Sequence, residues 1–169
     1  MKYLALLSFL LLLGCGDLSN ILQFRNDIIK HDPVTITAYQ YINYHEQTNR
    51  QELKAVLGVD PVRVEWCAAF VNAVLNESGT QGSESVSNHP LMARSFLDWG
   101  QSVEEPMPGD VVVLPRGNSS WQGHVGFYLN TVTINNKKYY SILGGNQNKS
   151  VSIELFPAST VLSVRRNTF

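Results

Sequence analysis

The 169-residue chain has only two cysteines, Cys15 and Cys67, which excludes a fold stapled by several disulfides. No Cys and His cluster at metal-ligand spacing, so neither a metal nor any other cofactor is expected. No block of Lys or Arg exceeds two residues (Lys137-Lys138 and Arg165-Arg166), and the net charge is −1. Without a basic stripe to track phosphates, nucleic acid is not an expected partner. The longest apolar run, Tyr3 to Leu13, is too short to span a bilayer. Repeats and low-complexity segments are also missing. What is present is ordinary for a globular protein: 44% hydrophobic and 16% charged residues, with length for one domain and one core.

The apolar run has the length of a signal-peptide h-region, and Lys2 supplies its n-region charge. It closes on Leu12-Leu13-Gly14-Cys15, followed by Gly16, Asp17 and Ser19. This resembles the lipobox of bacterial lipoproteins. The resemblance implies a signal peptide over 1–14, lipidation of Cys15, and a lipidated N-terminus and tether over 15–32. The protein would then be anchored to a membrane of the cell envelope, facing the periplasm or the exterior. The alternative is an ordinary secretory signal cut after a small residue such as Gly16. On both readings Cys67 lacks an intramolecular partner in an oxidising compartment, and an unpaired thiol there is a liability or a reactive group.

After Asp17–His31, which reads as a tether or a short helix, Asp32-Pro33 signals a helix to about Gln47, with Ile36, Tyr39, Gln40 and Asn43 facing inward. A second helix is expected over Arg50–Leu57, closed by Gly58. Asp60-Pro61 turns the chain into a third, Cys67–Ser78, in which Phe70, Val71, Val74 and Leu75 share one face. Gly79–Asn88 reads as a surface loop and Pro90–Trp99 as a further helix. Beyond Pro106-Met107-Pro108-Gly109-Asp110 the pattern turns to strands: Val111–Leu114, Gly123–Leu129, Lys138–Leu143, Val151–Phe156 and Val161–Arg165. Helices followed by consecutive antiparallel strands give an α+β fold, with the helices packed on a curled sheet. Residues 33–169 form its single domain.

Cys67 stands in the first turn of its helix, where the partial positive charge of the N-terminus favours thiolate. The competing reading is a small buried hydrophobe. Of the four histidines, His31, His45 and His89 read as solvated or structural. His124 opens the strand His124-Val125-Gly126-Phe127-Tyr128, with Gly126 and Tyr128 on its own face. Small Gly126 leaves space there for a helix or substrate. A thiol–imidazole pair needs a third group to hold the ring. The next strand ends in Gly144-Gly145-Asn146-Gln147, so Asn146 is the candidate, with Gln147 taking the task if the register differs by one. Glu65 reads as a helix cap or as a receptor for a basic substrate group. Trp66 reads as core or cleft lining, and Glu46 as a support of the Cys67 loop or a solvated acid.

Glu65-Trp66-Cys67-Ala68-Ala69-Phe70-Val71-Asn72, Pro108-Gly109-Asp110-Val111-Val112, Gly123-His124-Val125-Gly126-Phe127-Tyr128 and Gly144-Gly145-Asn146-Gln147 resemble the NlpC-type and CHAP cysteine peptidases and amidases of the cell wall. The resemblance covers roughly residues 35 to 166. It implies a papain-like fold in which a Cys-bearing helix packs on a five- or six-stranded antiparallel sheet that carries the His. It also implies Cys67 as nucleophile, His124 as base and acid, Asn146 as orienter, and an amide bond of peptidoglycan as substrate. The expected protein is thus a monomeric, lipid-anchored hydrolase of muropeptides. The rival expectation is a lipoprotein of the same fold that binds wall fragments or a partner without turnover.

Overall fold

The computed structural model describes residues 33–167. The signal peptide over 1–14, Cys15, the tether over 15–32 and His31 lie outside the described residues. Within them, three α-helices precede a six-stranded antiparallel sheet that does not close. The helices are α1 (Pro33–Tyr39), α2 (Arg50–Leu57) and α3 (Cys67–Glu77). The strands are β1 (Gln101–Ser102), β2 (Val111–Pro115), β3 (Gly123–Ile134), β4 (Lys137–Gln147), β5 (Ser150–Pro157) and β6 (Ser163–Arg166), in the order β1-β6-β2-β3-β4-β5. The α+β expectation holds.

α3 is the centre of the helical layer. Phe70, Val71 and Val74 are fully buried, and with Val125, Phe127, Leu143 and Val151 of the sheet they form the main core. Leu53 and Leu57 of α2 cover its other side, so α3 is buried nearly all round. Aromatic edges lock the layers, with Phe70 meeting Phe127 at 6.5 Å and Trp66 at 6.4 Å between ring centroids. The loop from α2 into α3 is held by Asp60, which Arg50 grips at 2.9 and 2.5 Å. That bond holds the Asp60 carboxyl down at about 2.

The sheet's other face carries a second, smaller core of Val112, Leu114, Tyr128, Ile142 and Val164. His124 of β3 lies against Phe156 of β5 with ring centroids 5.5 Å apart, although β4 runs between these strands. Strands spaced about 4.8 Å apart bring such rings together only if the sheet curls towards this face.

Several elements differ from expectation for identifiable reasons. The first helix stops at Tyr39, and Ile36 is exposed. Residues 43–46 instead run beside β5, with Asn43 N–H bonded to Val151 O and Glu46 N–H to Lys149 O. Tertiary pairing overrides helix propensity in this Thr- and Tyr-rich segment. Pro90–Trp99 contains only a 3₁₀ turn, Ala93–Leu97, because Met92 is extended and turns Leu91 and Met92 outward. The 79–88 loop is pinned through buried Asn72, whose Oδ1 accepts from Ser83 N–H at 2.8 Å and whose Nδ2 donates to Pro90 O. β3 and β4 extend to a two-residue turn, Asn135-Asn136, and β4 and β5 to another, Asn148-Lys149. All four turn residues have positive φ, the geometry that matches strand twist.

β4 approaches α3 closely at Gly145. A Cβ there would stand 2.6 Å from both Phe70 Cβ and Trp66 Cζ3. Neither neighbour can withdraw, since both side chains are fully buried. Gly145→Ala is expected to destabilise the domain by about 1–3 kcal/mol through overpacking, read as a fall of several degrees in Tm. An unchanged Tm would show that α3 can move off β4.

Candidate active site

Cys67 is the first residue of α3 and is 4% exposed. As the first residue of a helix its N–H has no partner four residues back. Cys67 belongs to the same buried core as Val125 of β3, the residue next to His124, and the Val125 and Ala68 N–H groups favour its thiolate. Burial pushes the Cys67 pKa up, outweighing those two N–H groups and the charge of Arg116. Burial thus opposes the pull of the helix N-terminus towards thiolate.

His124 is also buried, and burial pushes its pKa down. Both groups are thus held in their neutral forms. The His124 face carries Gly126 and Tyr128 as expected, but it is the concave face of the second core and not the face that receives α3. The space beside Gly126 is closed by Ile142, whose Cγ2 would stand 2.6 Å from an added Cβ. Gly126 therefore admits a neighbouring strand and not a helix or substrate.

The side chain on the imidazole is Gln147, not Asn146. Gln147 Oε1 lies 3.0 Å from His124 Nε2. The cause is a bulge: Gly144 pairs with Ser152 but Gln147 with Ser150, so β4 holds one extra residue. Asn146 takes it up at φ 57, a conformation Asn tolerates. The bulge turns Asn146 outward, where Nδ2 donates to Glu65 Oε2 at 2.7 Å, and returns Gln147 to the His124 face. Gly144 keeps room for the pair, since a Cβ there would stand 2.8 Å from Gln147 Oε1 and 3.3 Å from His124 Nε2.

The same network sets the tautomer. Gln147 Nε2 donates to Ser152 O at 2.7 Å, so the amide cannot be reversed and its oxygen faces His124. An amide oxygen only accepts, which assigns the ring proton to Nε2. His124 Nδ1 is then a bare lone pair, buried and without a hydrogen-bond partner. A neutral imidazole with a free acceptor is equipped to take a proton from a thiol.

Around this pair stand further groups that the amino-acid order signals only in part. Glu65 is no helix cap; its Oε2 also accepts from Arg116 Nη1 at 2.5 Å. Trp66 is fully buried, and its Nε1 donates to buried Glu46 at 3.4 Å. Glu46 also meets Lys149 at 3.6 Å, linking the approach to Cys67 with the turn after Gln147. An open cavity of about 280 Å³ reaches Cys67 between Glu65 and Arg116 and an apolar wall of Leu91, Met92 and Trp121. Trp121 is 62% exposed there. His45 caps a local turn through Nδ1 and His89 is exposed, so neither belongs to the site. Among the described residues no group of three or more His, Cys, Asp or Glu could hold a metal ion, and no helix is long and apolar enough to cross a membrane.

The sequence profile of the CHAP domain matches residues 59–146, just over half of the chain. The matched span includes Cys67 and His124 and ends one residue before Gln147. No curated protein matches the chain. A CHAP domain implies in general a hydrolase or amidase with peptidoglycan as substrate. With the α+β fold in agreement, the chain belongs to the CHAP domain family.

Proposed function

We propose that this protein is a cysteine hydrolase that cuts an amide bond of the peptidoglycan stem peptide, as an endopeptidase or an N-acetylmuramoyl-L-alanine amidase. The observation that carries the reading is the bare, buried Nδ1 of His124, in a tautomer set by Gln147, on a strand whose next residue, Val125, shares a buried core with Cys67. His124 takes the thiol proton as the sulfur attacks the amide carbonyl, so the reacting thiolate forms only with substrate in place. The helix-start N–H of Cys67 is the donor expected to hold the oxyanion. His124 then gives its proton to the leaving amine, and water hydrolyses the thioester. Lipid anchoring at Cys15 in the cell envelope and a monomeric state belong to the same proposal; the anchor rests on Leu12-Leu13-Gly14-Cys15 alone.

Mass spectrometry of muropeptides digested by the purified protein tests this reading and names the bond. Products that depend on Cys67 are expected, and their absence under reducing conditions leaves the binding-protein reading standing. The pH profile tests the mechanism. The base must be neutral to act, and burial holds the pKa of His124 below its ordinary 6.5. The acid limb of kcat/KM is therefore expected below pH 6.5. A limb at or above 6.5 would contradict a desolvated neutral base.

A further inference from the structure

We infer that Arg116 is the residue of the cleft that reads the substrate, by engaging a carboxylate of the stem peptide close to the amide that Cys67 attacks. This deepens the hydrolase reading above and rests on it. Arg116 follows β2 and lines the same cavity as Cys67, whose remaining wall is largely apolar. A guanidinium offers five N–H donors in a planar fork matched to carboxylate. Only Nη1 is used, on Glu65, and no other acceptor among the described residues takes the rest. The side chain is 46% exposed, so those donors face the open cleft.

The arrangement is also held ready. Glu65 Oε2 accepts from Arg116 at 2.5 Å and from Asn146 at 2.7 Å, tying together the approach to α3, the β2–β3 loop and the β4 bulge. An ion pair this exposed contributes little to stability, so folding alone does not account for it. Glu65 shares the cavity and holds Nη1 through Oε2 alone, so a substrate carboxylate is received on the guanidinium N–H groups that Glu65 leaves open. Arg116 and Cys67 line one cavity, so a carboxylate bound on the guanidinium lies beside the sulfur. Stem peptides offer two sources of that group: the α-carboxylate of a γ-linked glutamyl residue and the C-terminal carboxylate.

Binding measured on full-length Cys67→Ala protein separates this inference from turnover. Three muropeptides are titrated calorimetrically: one with both carboxylates free, one with the glutamyl carboxylate as carboxamide, and one with the C-terminus as carboxamide. One of the two amidations is expected to weaken binding about tenfold, which names the source. Adding Arg116→Ala or Arg116→Gln should erase that difference, leaving every peptide bound like the weaker one. Adding Arg116→Lys should keep part of it. Equal affinities for all three peptides, a preference that survives Arg116→Ala, or no binding of any of them would overturn the inference. Parallel digestion by the unsubstituted protein tests the hydrolase reading separately. No cleavage alongside an Arg116-dependent preference would sink that reading and leave the carboxylate site in place.

Discussion

Replacing Cys67 by alanine is expected to lower muropeptide hydrolysis by on the order of 10⁴-fold or more while leaving the fold intact. Losses of that size follow when a nucleophile is removed, since only binding and oxyanion stabilisation remain. Stability should change little, because one buried sulfur is exchanged for nothing larger, at a cost of about 1 kcal/mol. Cys67→Ser should fail nearly as badly, since a hydroxyl gives up its proton far less readily than a thiol to a base that burial has weakened. The decisive comparison is hydrolysis rate against Tm for both variants. Equal cleavage by the unsubstituted and Cys67→Ala proteins would remove Cys67 from the chemistry. Alkylation of the free protein at pH 7 is expected to be slow for the same reason, a buried neutral thiol. Slow alkylation therefore does not separate a catalyst from a binding protein here, and turnover does.

Gln147→Leu is expected to lower kcat by roughly 10²–10³-fold, and Asn146→Ala to change it by less than about threefold. Leucine keeps most of the volume but removes the oxygen that accepts from His124 Nε2. A buried N–H left without an acceptor costs about 1–3 kcal/mol, and the ring escapes that cost by moving its proton to Nδ1 or by turning. Either change removes the bare nitrogen on which the proposed proton transfer depends. Gln147→Glu offers a separate readout, since a carboxylate would raise the His124 pKa and move the acid limb upward. A purely structural role for Gln147 would move neither kcat nor the pH profile beyond the loss of folded protein. Asn146 bonds only to the exposed carboxylate of Glu65, so its loss leaves the imidazole untouched. The reverse pattern, a large loss at Asn146 and none at Gln147, would return the orienting role to Asn146.

Much of the framework was legible in the amino-acid order because it depends on near neighbours. The spacing of Phe70, Val71, Val74 and Leu75 specifies α3, and Gly58 at φ 69 closes α2 because a left-handed cap favours glycine. Alternation after His124 determined which residues share its face, and the Pro106–Asp110 turn precedes five of the six strands, with only β1 before it. Other features were decided only by the assembled layers. The choice of Gln147 over Asn146 needs one inserted residue in β4, and a bulge is visible only against the partner strand. The joining of Glu65, Arg116 and Asn146 brings together residues 51 and 81 positions apart. The desolvation of Cys67 is not visible from its place at a helix start, because the helix dipole is local whereas burial is the sum of everything packed around the sulfur. Periodicity and caps act within a few residues; register, desolvation and the contacts of a cleft belong to the whole fold.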